Sequence, residues 1–370
     1  MKSNRRNFIK SSSLLGAVTL FNSPIKSFGI LHKNMNEEQT IGHGDFKYKV
    51  DKNWAQIGTG YYPLLNCHEM VQDQSGKLYM IGDHTANNIL VFDPSGKLLD
   101  SWSHAFPGGH GLSIGGEGKD QFLMLTDCGW FQNKEGKGEG QSGQVLKTDL
   151  HGRLIFAIGH PRTIGIYDEK MPFKPTETAI APNGDIYVAD GYGSDYIIQY
   201  DSNGRYIRHF GGHDNANPDH NLQNAHGVAV DTRDPQNPKL ICTSRNETCF
   251  KVFTLDGKFI ERIDLPGMHI CRAVLHGQNL YAGVCWSDNK KGEINWGDSG
   301  FVTILDNKNK VVSNPGGTAP IYDKGKLTPS INLETPIFQH GHDVCADKDD
   351  NLYVCQWNAN HTAPIKLTRV

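Results

Sequence analysis

A short turn motif recurs along the chain and constrains its fold more than any other feature. It has the form Asp-x-x-Gly, then Lys or Arg and a β-rich run, as in DPSGKLLDSW (93–102), DLHGRLIFAIG (149–159) and DSNGRYIRHFGG (201–212), with TLDGKFIERI (254–263) a close relative. Strand pairs such as TAIAPNGDIYVADGY (178–192) precede these turns. Glycine supplies the backbone conformation that tight hairpins need. Each unit is therefore predicted to be a meander of four short antiparallel strands.

The spacing of the units predicts their number and arrangement. Their first strands align near six positions: His68, His110, Thr176, His226, Ile270 and His342. Intervals of roughly 40–70 residues are typical of propeller blades, so we expect an all-β, six-bladed β-propeller over 40–370. The stretch GDFKYKVDKNW (44–54) is an orphan strand, and the last unit has only three obvious strands. We expect these two to pair, which closes the ring and protects both edges.

The N-terminus, MKSNRRNFIKSSSLLGAVTLF, is typical of an export signal. Arg5 and Arg6 precede a short apolar run, with Phe8 and Lys10 where a twin-arginine signal has them. We expect residues 1–35 to be a signal peptide and linker, and the mature protein to be periplasmic or secreted. Because no later run approaches ~18 uninterrupted apolar residues, no membrane span is predicted for the mature protein.

Charge and cysteine spacing exclude several classes of partner and site. The formal net charge is -3 with mixed signs, which provides no basic stripe for nucleic acid. The eight cysteines show no CxxC spacing, so a thiolate zinc site is not predicted. Cys242 and Cys249 flank a predicted turn, and either a disulfide or buried free thiols fit that pattern. A small molecule or a peptide is the expected partner.

Histidines stand at the starts of several inner strands. His110, His226 and His342 belong to the second, fourth and sixth units, so in a six-bladed ring they lie about 120° apart and converge on the channel. A lone histidine there would be read as a hydrogen-bonded structural residue. Three in register form an open tripod, for which we expect Zn²⁺ rather than Fe or Mn. His68 holds the same position in the first unit and is a candidate general acid or base, a support for the ligands, or a structural residue.

At these residues the chain resembles a known family, the six-bladed NHL-type propellers of the peptidyl-α-hydroxyglycine α-amidating lyase kind. The resemblance covers about 80–370 and is carried by the following segments: GHGLS, FKPTETAIAPNGDIYVADGYGSDYIIQYDSNGRYIRHFGG, AHGVAV, SRNE and GHDVCAD. Generic NHL repeats share the GDIYVAD strand but not the alternating histidines.

The resemblance assigns roles to individual residues. It implies zinc ligation by the three histidines His110, His226 and His342. It also implies a catalytic Tyr192, in Asp-Gly-Tyr, and a catalytic Arg245, in SRNE. A structural Ca²⁺ in the channel is further implied, bound by Asp343 and the backbone carbonyl of Leu112.

The sequence departs from the family at two places that concern the site. The family has a further arginine in the first blade that meets the substrate carboxylate, whereas this chain reads LLNCHEMV there. Gly193 replaces a cysteine that follows the tyrosine motif, so one family disulfide is missing. The substrate is therefore expected to differ.

Together these features lead to one expectation of function and two alternatives. We expect an exported zinc-dependent lyase that cleaves a carbon–nitrogen or carbon–oxygen bond in a small hydroxylated substrate. The first alternative is a noncatalytic NHL binding module with a structural metal. The second is a sugar- or lactone-processing propeller, although such enzymes usually centre their metal on Glu, Asn and Asp.

Overall fold

The computed structural model describes residues 39–58, 62–102 and 104–370, and strands dominate this part of the chain. The predicted signal peptide and linker at 1–35 lies outside the described residues. Three short 3-10 turns interrupt the described strands, at Gly118–Asp120, Pro161–Ile164 and Arg245–Glu247. No helix in the described ranges is long and apolar enough to cross a membrane.

The described strands form six large sheets, here called blades 1 to 6, and two separate hairpins. Two strands precede the first blade, namely β1 (Thr40–His43) and β2 (Phe46–Asp51). Blade 1 contains β3 (Cys67–Gln72), β4 (Leu78–His84), β5 (Asn87–Phe92) and β6 (Leu98–Trp102). Blade 2 contains β7 (Gly109–Gly115) and β8 (Phe122–Asp127), then an inserted hairpin of β9 (Trp130–Gln132) and β10 (Gly138–Gly140), then β11 (Gln144–Asp149) and β12 (Leu154–Ile158).

Blade 3 contains β13 (Glu177–Ile180), β14 (Ile186–Ala189), β15 (Tyr196–Tyr200) and β16 (Tyr206–Gly211). Blade 4 contains β17 (Val228–Asp231), β18 (Lys239–Ser244), β19 (Cys249–Thr254) and β20 (Phe259–Asp264). Blade 5 contains β21 (Met268–Ile270), β22 (Val274–His276), β23 (Asn279–Asp288), β24 (Ile294–Asn295), β25 (Phe301–Leu305) and β26 (Val311–Ser313). A separate hairpin of β27 (Tyr322–Asp323) and β28 (Lys326–Leu327) follows, and β29 (Gly341–Ala346), β30 (Leu352–Gln356) and β31 (Ile365–Arg369) belong to blade 6.

The repeated turn joins the third and fourth strands of a blade, as its sequence predicted. In blade 1 the Asp93 carboxylate accepts hydrogen bonds from the backbone N–H groups of Ser95 and Lys97 at 2.9 and 3.1 Å. Gly96 has φ 88°, a left-handed conformation that glycine adopts without strain. Blade 5 builds the same turn with Asn309 at φ 58°, because asparagine also tolerates this region. That substitution explains why the glycine motif did not mark blade 5.

The ring closes through the N-terminal strand, which confirms the predicted six-bladed closure. Strand β2 pairs antiparallel with β31, so that Tyr48 lies opposite Arg369 and Asp51 opposite Lys366. Strand β1 adds a fifth strand outside β2. The Tyr48 ring is fully buried, and its hydroxyl accepts a hydrogen bond from Arg369 Nη1 at 3.1 Å.

The hydrophobic core lies between the blades. Six clusters of buried apolar side chains each join two neighbouring blades, including the pair formed by blades 6 and 1. In that last pair, Met70 of blade 1 packs in one cluster with Tyr353 and Cys355 of blade 6. Because the apolar faces meet between blades, the inner strand of each blade presents its polar groups to the central axis.

The eight cysteines are buried free thiols. Cys242 lies opposite Lys251 and Cys249 lies opposite Ser244, so the two candidates for a disulfide are out of register by two residues. The free-thiol alternative therefore describes this pair.

Replacing Tyr48 with Ala tests how much β2 contributes to ring closure. We expect Tyr48→Ala to lower the free energy of unfolding by about 3–5 kcal/mol, since it removes a large buried ring from the closing strand. Lys47→Ala, at an exposed position of the same strand, is the matched control and is expected to change it by less than about 0.5 kcal/mol. Equal chemical-denaturation midpoints for the two variants would show that β2 does not stabilise the closed ring.

Candidate metal centre

Four imidazole rings converge at one end of the channel. His68 lies on β3, His110 on β7 and His342 on β29, while His226 precedes β17 by two residues. All four are buried, and five of their pairwise ring-centroid distances lie between 4.7 and 4.9 Å. The structure thus brings together the three predicted ligands and places His68 in the same cluster.

Backbone carbonyls fix the protonation of two of the rings. His110 Nδ1 lies 2.8 Å from the Thr176 carbonyl oxygen, and His342 Nδ1 lies 2.9 Å from the His68 carbonyl oxygen. A carbonyl can only accept, so each Nδ1 carries the hydrogen and each neutral ring keeps a lone pair on Nε2. This is how metal-binding histidines are usually oriented. Burial lowers the pKa of His110, His226 and His342 well below 6.5, so all three are neutral and able to bind a metal.

The ring of His68 gives the site a further nitrogen lone pair that could bind a cation. His68 Nε2 lies 3.1 Å from Asp83 Oδ2, and His68 Nδ1 lies 3.5 Å from His342 Nε2. When the Asp83 carboxylate accepts the Nε2 hydrogen, neutral His68 and His342 turn two lone pairs toward each other. Facing lone pairs in a buried site favour a cation between them, as a bound metal ion would provide. The donor set therefore fits a metal ion.

A thiol and a guanidinium lie beside the imidazoles on the blade 5 side. The ligand atoms of Cys271, His226 and His342 lie within 4.8 Å of one another, as do those of His68, His110 and His342. Arg245, predicted to be catalytic, is buried and donates from Nη2 to Cys271 Sγ at 2.9 Å and from Nε to the Ile270 carbonyl at 3.1 Å.

Cys271 was missed in the sequence because the alignment of first strands placed the start of unit five at Ile270, one residue earlier. Burial opposes ionisation of this thiol, but a hydrogen bond with Cys285 and the charge of Arg245 lower the pKa of Cys271 below its usual value. It is thus a further group that could hold a metal.

Tyr192 is held against two of the rings by its loop. Its hydroxyl lies 3.2 Å from His110 Nε2 and 3.0 Å from His226 Nε2. A Cβ atom at Gly191 would collide with the Ala225 carbonyl, so the Asp-Gly-Tyr motif needs glycine for this close approach. Burial raises the pKa of Tyr192, whereas the nearby Arg245 lowers it.

Asp190 anchors the loop that carries Tyr192. Its carboxylate accepts hydrogen bonds from the Lys174 N–H at 2.6 Å, from the Ser194 N–H at 2.9 Å and from the Tyr167 hydroxyl at 2.6 Å. Burial raises the pKa of Asp190 to about 6 despite these donors. The aspartate of the motif therefore shapes the loop, and the tyrosine alone reaches the imidazoles.

The imidazole cluster opens into a cavity of about 690 Å³. His68, His110 and Tyr192 form its floor, and Trp130 and Trp357 contribute aromatic walls. Trp130 comes from the inserted β9–β10 hairpin of blade 2.

A different cation stands where the resemblance implied Ca²⁺. The Asp343 carboxylate accepts hydrogen bonds from Arg272 Nε at 2.7 Å and Nη2 at 3.0 Å, and the Leu112 carbonyl accepts from Arg272 Nη1 at 2.8 Å. Asp343 and Leu112 thus converge as expected, but on the guanidinium of the chain itself. A calcium ion bound by both groups would have to displace that side chain, so the residues present do not fit calcium.

Comparison with known proteins gives distant sequence relatives. No family model matches the chain. Human NHL repeat-containing protein 3 is 27% identical over 150 residues, which is 40% of this chain and 40% of that protein. A probable peptidyl-α-hydroxyglycine α-amidating lyase of Caenorhabditis elegans is 28% identical over 154 residues, covering 38% of this chain and 39% of that protein. The chain therefore matches less than half of the length of either relative.

Solved structures share the architecture over most of the chain. The structure of a streptogramin B lyase matches 87% of this chain and 97% of its own, with a TM-score of 0.53 and 14% identity. A gluconolactonase from Xanthomonas campestris matches 88% and 90%, with a TM-score of 0.54 and 11% identity. Identities this low establish the fold alone. The chain is thus a six-bladed propeller with distant sequence similarity to NHL-repeat proteins and to amidating lyases, as the resemblance predicted.

The lowered imidazole pKa values predict that a bound metal resists acidification. A free histidine is half-protonated at about pH 6.5, but these rings take up protons only as the pH falls toward their lower pKa values. We therefore expect zinc-loaded protein to retain Zn²⁺ at pH 6.5 and release it at a lower pH. Zinc passed to a chromogenic chelator at stepped pH measures this, and half-release at pH 6.5 or above would contradict it.

Proposed function

We propose that the protein is a zinc-dependent lyase that acts on a small hydroxylated substrate. One observation carries the proposal: four buried imidazoles converge beside the Tyr192 hydroxyl, and two of them, His68 and His110, form with Tyr192 the floor of a cavity large enough for a small molecule. His110, His226 and His342 would hold the metal, and the donor set suits Zn²⁺ because imidazole nitrogen is among its preferred ligands. The similarity to an amidating lyase supports the reaction class.

The reaction proposed is an elimination that needs no oxidant or reductant. A bound Zn²⁺ would act as a Lewis acid on the substrate hydroxyl oxygen. With Tyr192 as the tyrosinate, its oxygen accepts the hydroxyl proton, a carbon–oxygen double bond forms, the adjacent carbon–nitrogen or carbon–oxygen bond breaks, and Tyr192 returns the proton to the leaving atom. Burial raises the Tyr192 pKa, and the nearby Arg245 acts against burial in favour of the tyrosinate.

Tyr192 has a specific reason to exchange its proton with the substrate. Its hydroxyl hydrogen is directed to His110 or His226, whose Nε2 atoms lie 3.2 and 3.0 Å away. When those lone pairs are engaged by a metal, neither ring can accept that hydrogen. The hydroxyl must then seek a partner in the cavity, which is where the substrate binds.

The cavity wall favours a substrate without a carboxylate. Among the described residues, three aspartates line it, namely Asp83, Asp195 and Asp214, and neither lysine nor arginine does. An anion would meet like charge there, at a cost that grows with desolvation. Trp130 and Trp357 provide flat apolar faces of the kind that pack against a ring. We therefore propose an uncharged, hydroxylated compound rather than a hydroxyglycine peptide with a free carboxylate.

Two substitutions, one at His342 and one at Tyr192, separate metal binding from chemistry. We expect His342→Ala to lower zinc affinity by at least about 10-fold because it removes a ligand. Tyr192→Phe should keep the metal and lower kcat by about 10²–10⁴-fold, because it removes only the proton carrier. Metal content and turnover are measured on the same preparations.

His68→Ala decides between the catalytic and structural alternatives. A loss of zinc as large as that of His342→Ala would mean a closed four-histidine site and favour a noncatalytic binding module. Retained zinc would leave a position open to substrate. Equal turnover by wild-type protein and Tyr192→Phe would contradict the proposed role of the tyrosine.

Matched substrate pairs test the charge preference. We expect kcat/KM for the amide or methyl ester of an N-acyl-α-hydroxyglycine to exceed that for the free acid by at least about 10-fold, as for one unfavourable charge contact. Hydroxylated sugars and their lactones are assayed beside them, so that a lactonase would be detected. A higher kcat/KM for the free acid would contradict the proposal. The contradiction would be strongest if Lys174→Met abolished that preference for the acid, because Lys174 Nζ lies 4.9 Å from the Trp130 ring at the cavity wall.

A further inference from the structure

A single arginine joins the inner strands around the channel. Arg272 follows Cys271 in blade 5, and only 8% of its surface is exposed. Its guanidinium reaches acceptors on blades 1, 2, 3 and 6. These acceptors are Asp343 Oδ1 (2.7 Å) and Oδ2 (3.0 Å), Leu112 O (2.8 Å), Glu69 Oε2 (2.9 Å), Met70 O (3.2 Å) and Glu177 Oε2 (3.2 Å).

Blade 4 meets the same residue through its backbone. A Cβ atom at Gly227 would lie 2.5 Å from Arg272 Cα, so only glycine allows this approach. Gly227 directly follows His226 in the AHGVAV segment. Arg272 therefore contacts the inner region of every other blade.

Apart from Glu177, which follows the Thr176 that binds His110, each group that Arg272 contacts lies within two residues of an imidazole of the cluster. Asp343 follows His342, and Gly227 follows His226. Met70 and Leu112 lie two residues beyond His68 and His110 on the same strands. A shift of the guanidinium would thus move the strands that carry the four imidazoles.

The charges around Arg272 form a buried, partly compensated set. Glu69, Glu177 and Asp343 are within 1% of complete burial, and Arg272 supplies the only cation that the described residues bring into contact with them. Burial raises the pKa of Glu69, against the effect of Arg272, and a hydrogen bond with Glu177 raises it further. Three carboxylates thus share one guanidinium, so Arg272 offsets part of their charge and the glutamate pair carries the rest through its own hydrogen bond.

We propose that Arg272 is the resident cation of the channel and a positioning residue for the metal centre, where it takes the role of a bound divalent ion. Guanidinium retains its charge when buried and has five donors in a fixed plane, so one side chain can bind several strands at once. The same carboxylates and carbonyls are oxygen ligands that suit a hard cation such as Ca²⁺. The wild-type protein therefore needs no calcium, and a variant that lacks the guanidinium exposes oxygen ligands to it.

The test compares Arg272→Ala and Arg272→Lys with Arg233→Ala. Arg233 is a matched control because it pairs with Asp231 at 2.7 Å, is also largely buried, and lies in the turn between β17 and β18, at the other end of β17 from His226. Each protein is first freed of bound metal; its midpoint is then measured in EGTA and in millimolar Ca²⁺, and its Co²⁺ affinity in calcium-free buffer and in millimolar Ca²⁺. The readouts are the thermal midpoint and the affinity for Co²⁺, followed by its visible absorption and by competition with a chelator.

For wild-type protein we expect the same midpoint in EGTA and in Ca²⁺, and the same Co²⁺ affinity without and with Ca²⁺. Arg272→Ala and Arg272→Lys should both bind Co²⁺ about 10–100-fold more weakly, as expected for loss of support behind the ligands. Ca²⁺ should raise the midpoint of Arg272→Ala and recover part of its Co²⁺ affinity. Arg233→Ala should lower the midpoint but leave Co²⁺ affinity unchanged, since its loss is purely structural.

Several results would overturn the proposal. A wild-type midpoint that falls in EGTA would show that the channel needs a metal ion despite Arg272. Unchanged Co²⁺ affinity in Arg272→Lys would exclude a positioning role, and this arm remains informative if Arg272→Ala does not fold. If Arg272→Ala folds but Ca²⁺ changes neither its midpoint nor its Co²⁺ affinity, the guanidinium does not take the place of a divalent cation. None of these readouts depends on the identity of the substrate, so they stand apart from the lyase proposal.

Discussion

The desolvation of charge along the propeller axis is the constraint on which the rest of the structure depends. The apolar clusters lie between neighbouring blades, so the inner strands meet each other through polar groups that water does not reach. Uncompensated, a buried carboxylate would be costly. The guanidinium of Arg272 binds Glu69, Glu177 and Asp343 together, at 2.7–3.2 Å, and offsets part of their charge. The axis is therefore a second core, ionic rather than apolar.

The ionic layer and the imidazole layer influence each other through charge as well as through shared strands. Burial is the main reason that the imidazole pKa values are low, but the positive charges of Arg245 and Arg272 act in the same direction on His110. His226 feels Arg245 in the same way. Neutral imidazoles are the form that binds metal. The two arginines form no hydrogen bond with these imidazoles, but their charge helps to keep the rings neutral and able to bind metal.

The sequence predicted what local chemistry determines and missed what register and side-chain direction determine. Turn glycines and unit spacing were sufficient for six blades and for closure by β2, because each hairpin is specified within a few residues. The convergence of His110, His226 and His342 followed from their alternate blades. The segment ICRAVL did not identify Arg272 as a residue of the channel, since nothing in the neighbouring sequence shows that its side chain runs along the axis. Likewise Asp83 binds His68 from the neighbouring strand, through a contact that depends on the β3–β4 register.

The imidazoles are oriented by neighbouring blades, which ties the site to the closure of the ring. His110 of blade 2 donates to the Thr176 carbonyl at the start of blade 3, and His342 of blade 6 donates to the His68 carbonyl of blade 1. Each contact runs from one blade to the next in the ring. The second of them crosses the junction between the last blade and the first, where the apolar cluster around Met70 and Tyr353 also packs the two blades together. The contact that orients a ring at the centre therefore depends on the same junction that completes the ring of blades.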